Sequence, residues 1–271
     1  MPTKKALIFD LDNTLLWDER SINEAFLATC QRAANQYVLD PSVLEQAVRE
    51  AAHDLFKSLD LYDWLHMIEV TDLEALWGNF QQGAHPNFRI MQEFAPLYRK
   101  NVWHRGLQAV GIENSILASE LAEQFMQERR NRPFVYDDTF KVLETLHKEY
   151  ALLLMTNGAP GIQQEKIDSI PSLASYFDHI IISGTYGVGK PNPSIFQHAL
   201  DLLRIPPNEA VMIGDTLATD ILGAHNVGIT NIWINRHPEH APAPIRPSYE
   251  VRSLTEIPQL LLSMQVLQQP S

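Results

Sequence analysis

The stretch ALIFDLDNTLL, residues 6–16, decides how this chain folds. Its first four residues, Ala6 to Phe9, are apolar without a break, which is the pattern of a strand covered on both faces rather than one with a wet side. The run then stops on two carboxylates, Asp10 and Asp12. Residues two apart in an extended chain point to the same side, and a buried carboxylate is costly unless it is paired or bound to a metal. The opening therefore predicts an inner strand whose carboxyl end carries an acidic site in need of a cation.

Four later segments repeat the pattern of a short apolar run closed by polar residues or glycine: ALLLMTNG at 151–158, IIISGTYG at 180–187, AVMIGDT at 210–216 and IWIN at 232–235. Helical periodicity fills most of the gaps, over 137–149, 192–204 and 216–228. The second of these has Asn192 as its expected N-cap and Pro193 at the first helical position. The third closes on Asn226 and Gly228, residues suited to a helix C-terminus. Alternating strands and helices predict an α/β fold with an open, mostly parallel sheet flanked by helices. The proline-rich segment 237–250 reads as a surface loop.

Between the first strand and the second there is no strand signal from about residue 21 to 132. Helical stretches read there over 21–38, opened by a Ser21/Glu24 capping box, and over 41–59, opened by Ser42/Glu45, then over 88–110 and 115–130. This predicts an all-helical domain (18–133) inserted into an α/β core (1–17 and 134–271), with joints near 17–20 and 132–137.

The chain of 271 residues carries 21 basic and 33 acidic side chains, a net charge of −12, which disfavours nucleic acid as a partner. The one cysteine, Cys30, has no internal disulfide partner and reads as a core residue in a reducing compartment. The first apolar run is far too short to span a bilayer, so no membrane partner is expected. The expectation is a soluble, cytoplasmic protein, monomer or homodimer. An anionic substrate would need local positive charge from a metal or a well-placed lysine.

In open parallel sheets ligands bind beyond the carboxyl ends of the strands. That rule gathers Asp10, Asp12, Thr156, Asn157, Lys190 and Asp215, each ending or following an apolar run. The carboxylates would repel one another, and Mg²⁺ answers this best, since it binds through one or two carboxylates while keeping water and substrate phosphate as its other ligands. Of Asp10 and Asp12, one can attack phosphorus while the other moves a proton.

Asp10-Leu11-Asp12-Asn13-Thr14, then Thr156-Asn157-Gly158, Lys190-Pro191 and Gly214-Asp215-Thr216-Leu217-Ala218-Thr219-Asp220 resemble, in order, the four motifs of the haloacid dehalogenase-like (HAD) superfamily. The resemblance implies a Rossmann-like core, and the position of the insert resembles the helical cap of the first type. It implies Asp10 as nucleophile and metal ligand, and Asp12 as general acid/base with its backbone carbonyl on the metal. Leu11, Thr156, Asn157 and Lys190 would bind the substrate phosphate, Thr156 and Lys190 also serving catalysis. Asp215 would be a metal ligand, and Thr14 and Asp220 would support the groups in contact, Asp220 by orienting Lys190 or a metal-bound water.

The implied activity is a Mg²⁺-dependent phosphomonoesterase that forms an aspartyl-phosphate on Asp10. Its substrate would be a small phosphorylated metabolite of the sugar phosphate or nucleotide class. Alternatives are a phosphomutase of the β-phosphoglucomutase type and a phosphate-binding regulatory protein without turnover. Asp12 argues against a 2-haloacid dehalogenase, which lacks the second aspartate. Residues 214–228 with 232–235, and Gln164-Glu165-Lys166-Ile167, are similar to the branch containing N-acylneuraminate-9-phosphatase and pyrimidine nucleotidases.

Nothing in the insert matches a motif. Tyr62, Trp64, Trp77 and Phe80 read as packing between its helices rather than a pocket lining, and Lys57 and Lys100 as solvated lysines rather than Schiff-base formers. Arg89, Arg99 and Arg105 read by default as lone surface arginines, the alternative being contact with a second anionic group on the substrate. His237 and His240 read as solvated loop residues and not as a zinc site.

Overall fold

Ala6 to Phe9 form strand β1 (Ala6–Phe9), all four side chains buried, and the strand is flanked on both sides as its unbroken apolarity requires. A computed structural model of the chain describes residues 6–237 and 245–266. The remaining strands are β2 (Ala151–Thr156), β3 (His179–Ile182), β4 (Ala210–Gly214), β5 (Thr230–Ile234) and β6 (Tyr249–Val251). They form one sheet in the order β3-β2-β1-β4-β5-β6, and every pairing is parallel. The chain runs outward from β1 through β2 to β3 and then returns to place β4 on β1's other edge. This reversal opens a crevice at the carboxyl ends of β1 and β4.

The sheet is a six-stranded, Rossmann-like α/β sheet. Five of its strands fall on the five apolar runs. The sixth, β6, falls at the end of the segment read as a loop. It has three residues, Tyr-Glu-Val, and pairs only with β5, so it is too short for any periodicity to announce it. The adjoining residues 238–244 of that segment, His240 among them, lie outside the described residues.

Two compact units divide the chain. One holds the sheet and comprises Met1–Trp17, Val135–Thr156 and Ile167–Ser271, and the other comprises Asp18–Phe134 and Asn157–Lys166. The second is helical: α1 (Asp18–Ala34), α2 (Pro41–Lys57), α3 (Tyr62–Met67), α4 (Asp72–Ala75), α5 (Pro86–Ala109) and α6 (Ser115–Arg130). The sheet unit adds α7 (Thr139–Leu146), and α8 (Pro160–Asp168) spans the two units. The sheet unit continues with α9 (Ser183–Tyr186), α10 (Pro193–Leu203), α11 (Leu222–Asn226) and α12 (Ile257–Val266).

Burial on both faces of the sheet is direct. Leu7, Phe9, Leu152, Leu154, Val211 and Ile213 pack with Val142 and Leu143 of α7 and Ile257 and Leu261 of α12. Their neighbours along the strands, Ile8, Leu153, Met155 and Met212, pack with Ile195, Phe196 and Ala199 of α10 and Ala224 of α11. Asn192 caps α10, its side chain accepting from the Ser194 N–H, with Pro193 next, as the sequence predicts. In the run at 180–187 the apolar residues end β3 at Ile182, and the polar residues after them form α9, closed by Gly187 at φ +110°.

Within the helical unit the expected helices are present; those at Pro41 and Ser115 start where predicted, and the other two start two or three residues earlier. Helix α1 begins at Asp18, not Ser21. The hydroxyl of Ser21 donates to the Arg132 carbonyl and accepts from Arg129 Nη1 at 2.6 Å, so it is no cap. Asp40, not Ser42, caps α2, its carboxylate accepting from the Ser42 N–H at 2.9 Å. Helices α2 and α5 touch where Gly106 meets Val48; a Cβ there would lie 2.4 Å from Val48 Cγ2. Trp77 and Phe80 are core residues, in line with the packing reading, and Tyr62 and Trp64 are partly buried against the same cluster. Among the described residues no helix is long and apolar enough to cross a membrane.

Candidate active site

Asp10 continues β1 past its last strand residue, its N–H donating to the Ile213 carbonyl at 2.9 Å. The chain then turns back. The N–H groups of Leu15 and Leu16 both donate to the Leu11 carbonyl at 2.9 Å, and Asn13 takes the left-handed conformation, φ +58°, which asparagine tolerates better than most residues. Asp12 pairs with Leu16 across this turn, and Leu16 with Val135. Asp10 is buried and Asp12 half-buried.

Lys190 reaches the same place from the loop after α9. It is one of the most deeply buried large side chains. Its ammonium donates to Asp10 Oδ1 at 2.5 Å and to the Met155 carbonyl at 2.9 Å, and pairs with Asp220 Oδ1 at 2.7 Å. Burial by itself pulls the lysine's pKa down, but the charges of Asp10 and Asp220 outweigh it and hold the value above that of a free lysine. Lys190 is a fixed positive charge.

Asp215 and Asp220 come from the turn after β4. The turn is wide, a single π-helical turn over Leu217–Ile221, and it aims Asp220 back at the strand end, where Oδ2 accepts from the Thr216 N–H at 3.1 Å. Gly214 makes room for it: a Cβ there would stand 2.3 Å from Asp220 Oδ2. Asp215 accepts from Thr14 Oγ1 at 3.4 Å, and its backbone carbonyl accepts from Trp233 Nε1 at 2.7 Å. In the sequence Trp233 reads only as part of the 232–235 run, with no role at the site for its indole N–H.

Among the described residues, Asp10, Asp215 and Asp220 offer carboxylate oxygens that all lie within 4.8 Å of one another. Asp12 does not contribute its carboxylate to this trio. Burial, and then the neighbouring charges of Asp10 and Asp220, push the Asp215 carboxyl well above its usual range. Burial pushes Asp220 up to about 6 in spite of Lys190. Three carboxylates face one ammonium, so the cluster is short of positive charge, and an all-oxygen donor set suits a hard divalent cation such as Mg²⁺. The residues present fit a metal ion.

Thr156 ends β2 and is buried. It stands two residues beyond Leu154, the register partner of Phe9, as Leu11 stands two beyond Phe9. Thr156 therefore stands at the carboxyl edge of β2, just beyond the level at which β1 ends. Asn157 follows in the chain as the first residue of the shorter segment of the helical unit.

The candidates in the insert are placed as follows. Lys57, Lys100, Arg89 and Arg105 are exposed. Arg99 is committed to backbone carbonyls, Nε donating to Ala75 at 3.0 Å and Nη2 to Gly78, and burial lowers it to about 10. It closes the C-terminal end of α4, which argues against its being the anion receptor. Cys30 is buried and its thiol is pushed up to about 12, chiefly by burial, which fits a core residue and not a nucleophile. His237 is exposed.

Residues 4–228 match the family model of the haloacid dehalogenase-like hydrolases. The chain is 33% identical over 255 residues to a phosphoserine phosphatase of Thermus thermophilus, covering 93% of this chain and 97% of that protein. It is 40% identical over 171 residues to the mouse (Mus musculus) N-acylneuraminate-9-phosphatase, covering 61% of this chain and 68% of that protein. The fold is similar to the crystal structure of the putative HAD-hydrolase YfnB from Bacillus subtilis, with a TM-score of 0.64 at 20% identity over 95% of this chain and 98% of that one.

Proposed function

Since the chain belongs to the haloacid dehalogenase-like hydrolases and is a phosphatase among them, we propose that it hydrolyses a small phosphate monoester through an aspartyl-phosphate on Asp10, with Mg²⁺ as its metal. The observation that carries this reading is the Lys190 ammonium held between Asp10 and Asp220 beside the three-carboxylate cluster. Phosphoryl transfer needs a positioned nucleophile and cancelled charge on the phosphoryl oxygens, and little other covalent chemistry from the protein.

Lys190 holds Oδ1 of Asp10, so Oδ2 is the oxygen that attacks phosphorus. The P–O bond to the alcohol breaks as the Asp10–phosphorus bond forms, and Asp12 gives its proton to the departing oxygen. Asp12, now a carboxylate, takes a proton from water, and the resulting hydroxide displaces Asp10 from phosphorus as inorganic phosphate. The backbone N–H of Leu11, the Thr156 hydroxyl, Asn157 and the Lys190 ammonium bind the phosphoryl oxygens. Asp10 and Asp215, with the backbone carbonyl of Asp12, would hold the metal, and Thr14 and Asp220 would keep Asp215 and Lys190 in place. When bound, the cation supplies charge that offsets the carboxylates and the phosphoryl group.

On the substrate, the similarity to a phosphoserine phosphatase runs along almost the whole chain, insert included, whereas the similarity to the neuraminate phosphatase covers a smaller share. This supports O-phosphoserine as the first ester to test, beside sugar phosphates, nucleotides and N-acylneuraminate 9-phosphate. The test is phosphate release from this panel with Mg²⁺ and with chelator, using Asp10→Asn as blank. Metal-dependent release that the substitution abolishes supports the reading. Absence of release from every ester, with the protein folded, overturns it.

A further inference from the structure

Beyond β1 the chain leaves the sheet unit at Trp17 and re-enters it at Val135. The two passages run side by side, Leu16 bridging antiparallel to Val135 and the Tyr136 N–H donating to the Leu15 carbonyl at 3.3 Å. The rings of Trp17 and Tyr136 stack with centroids 5.1 Å apart. Arg236, two residues past the end of β5, touches both passages.

The Arg236 guanidinium makes three contacts. Nη2 donates to the Thr14 carbonyl at 3.2 Å. Nη1 and Nη2 form a fork on the Asp138 carboxylate at 3.2 and 3.0 Å. The guanidinium carbon also lies 3.6 Å from the centre of the Tyr136 ring. Asp138 is fixed in turn by Ser253 Oγ at 2.8 Å and the Leu254 N–H at 2.9 Å. A planar fork shared by a carboxylate, a carbonyl and an aromatic face is a geometry that a lysine cannot reproduce.

Thr14 is where this clamp meets the chemistry. Its carbonyl accepts from Arg236 and its hydroxyl donates to Asp215 Oδ1 at 3.4 Å. It lies in the turn that presents Asp12, two residues away. We propose that Arg236 is a positioning residue for the reaction at Asp10 and Asp12. By tying the Thr14 carbonyl to the returning passage at Tyr136 and Asp138, it fixes the turn that carries the acid/base carboxylate and the hydroxyl on Asp215. This role rests on the phosphatase reading above. A misplacement of about 1 Å in a catalytic group is enough to cost about a hundredfold in rate, so a loosened turn acts on kcat before it acts on substrate binding.

The experiment compares Arg236→Lys, Arg236→Gln and Ser253→Ala with the wild-type chain. Steady-state rates on p-nitrophenyl phosphate at saturating Mg²⁺ are measured together with thermal midpoints. The expected result is a fall in kcat of about tenfold or more for both Arg236 variants with KM within about twofold, the lysine failing to rescue. Ser253→Ala removes a bond to Asp138 without touching Arg236, and should lower the thermal midpoint while keeping kcat within about twofold. Independently of activity, the Leu15 and Leu16 amides should exchange with deuterium faster in Arg236→Gln than in Ser253→Ala. Wild-type kcat in the Arg236 variants, a rise in KM alone, or full rescue by lysine would overturn the positioning role. A wild-type chain inert on every phosphate ester overturns the functional reading and this role with it, whereas an active wild type with indifferent variants overturns this role alone.

Discussion

Lys190 Nζ and Asp220 Oδ1 stand 2.7 Å apart with both side chains closed off from water. Breaking a buried ion pair by removing one partner costs about 3–5 kcal/mol, because the other charge is left uncompensated. Lys190→Met leaves Asp10, Asp215 and Asp220 facing one another without an ammonium, so the metal-free protein should lose stability on that scale. Saturating Mg²⁺ should recover part of the loss, since a ligand that binds only the folded state stabilises it. Urea titration with and without chelator checks both statements. A loss identical in the two conditions would contradict the cation-deficient site.

Gly214 owes its identity to the same carboxylate. A Cβ at this position would lie 2.3 Å from Asp220 Oδ2, 2.4 Å from Cγ and 2.6 Å from Cβ, all closer than real atoms approach. Gly214→Ala must therefore push Asp220 away from Lys190. Overpacking of this kind costs about 1–3 kcal/mol, and kcat should fall about tenfold or more through the displaced Lys190. Kinetics with a thermal melt test this; a variant that keeps wild-type kcat would show that the pair with Asp220 does not position the lysine.

Asp10 and Asp215 were legible in the sequence because each directly follows a run whose apolarity fixes it as an inner strand, and Lys190 through the loop beyond the run at 180–187; Asn192-Pro193 was legible because a cap acts within three residues. What was not legible depends on partners far along the chain. Ser21 with Glu24 has the spacing of a capping box, yet the Ser21 hydroxyl is bound to Arg132 and Arg129, over a hundred positions away. Arg99 read as a surface arginine or, failing that, an anion receptor, whereas the carbonyls of Ala75 and Gly78 hold it. Strand β6 exists because the edge of β5 is there to pair with, and no local period encodes that.

Asp138 gives a pH dependence with a definite sign. Burial by itself would raise its carboxyl, but hydrogen bonds from Arg236 and Ser253, the Arg236 charge and the Leu254 N–H together hold it below the usual range. A carboxyl lowered in the folded state binds its proton more readily when unfolded. Its stabilisation is present above the unfolded value near 4 and is lost as pH falls through the lower folded value. Asp138→Asn should therefore cost about 1–3 kcal/mol near neutrality, and the cost should shrink as pH drops below about 4. Denaturant midpoints from pH 7 to pH 2.5 test this; a constant difference would mean that the carboxylate's charge does not matter.

The helical unit holds a second buried ionic cluster. Lys166 Nζ lies 3.0 Å from Glu74 Oε1 and 3.6 Å from Asp18 Oδ1, and Arg129 pairs with Asp18. Gln163 Nε2 donates to the same Glu74 oxygen at 2.8 Å. Two cations and two carboxylates balance, so the cluster tolerates burial only as a set. Lys166→Met should cost about 3–5 kcal/mol by stranding Glu74. Glu74→Gln should also destabilise, by stranding Lys166. Combined, the two substitutions remove both charges of one pair, so the double variant should be more stable than the sum of the single losses predicts, with a coupling of about 0.5–3 kcal/mol. A double-mutant cycle by urea unfolding measures it. Strict additivity would mean that Lys166 and Glu74 do not compensate each other.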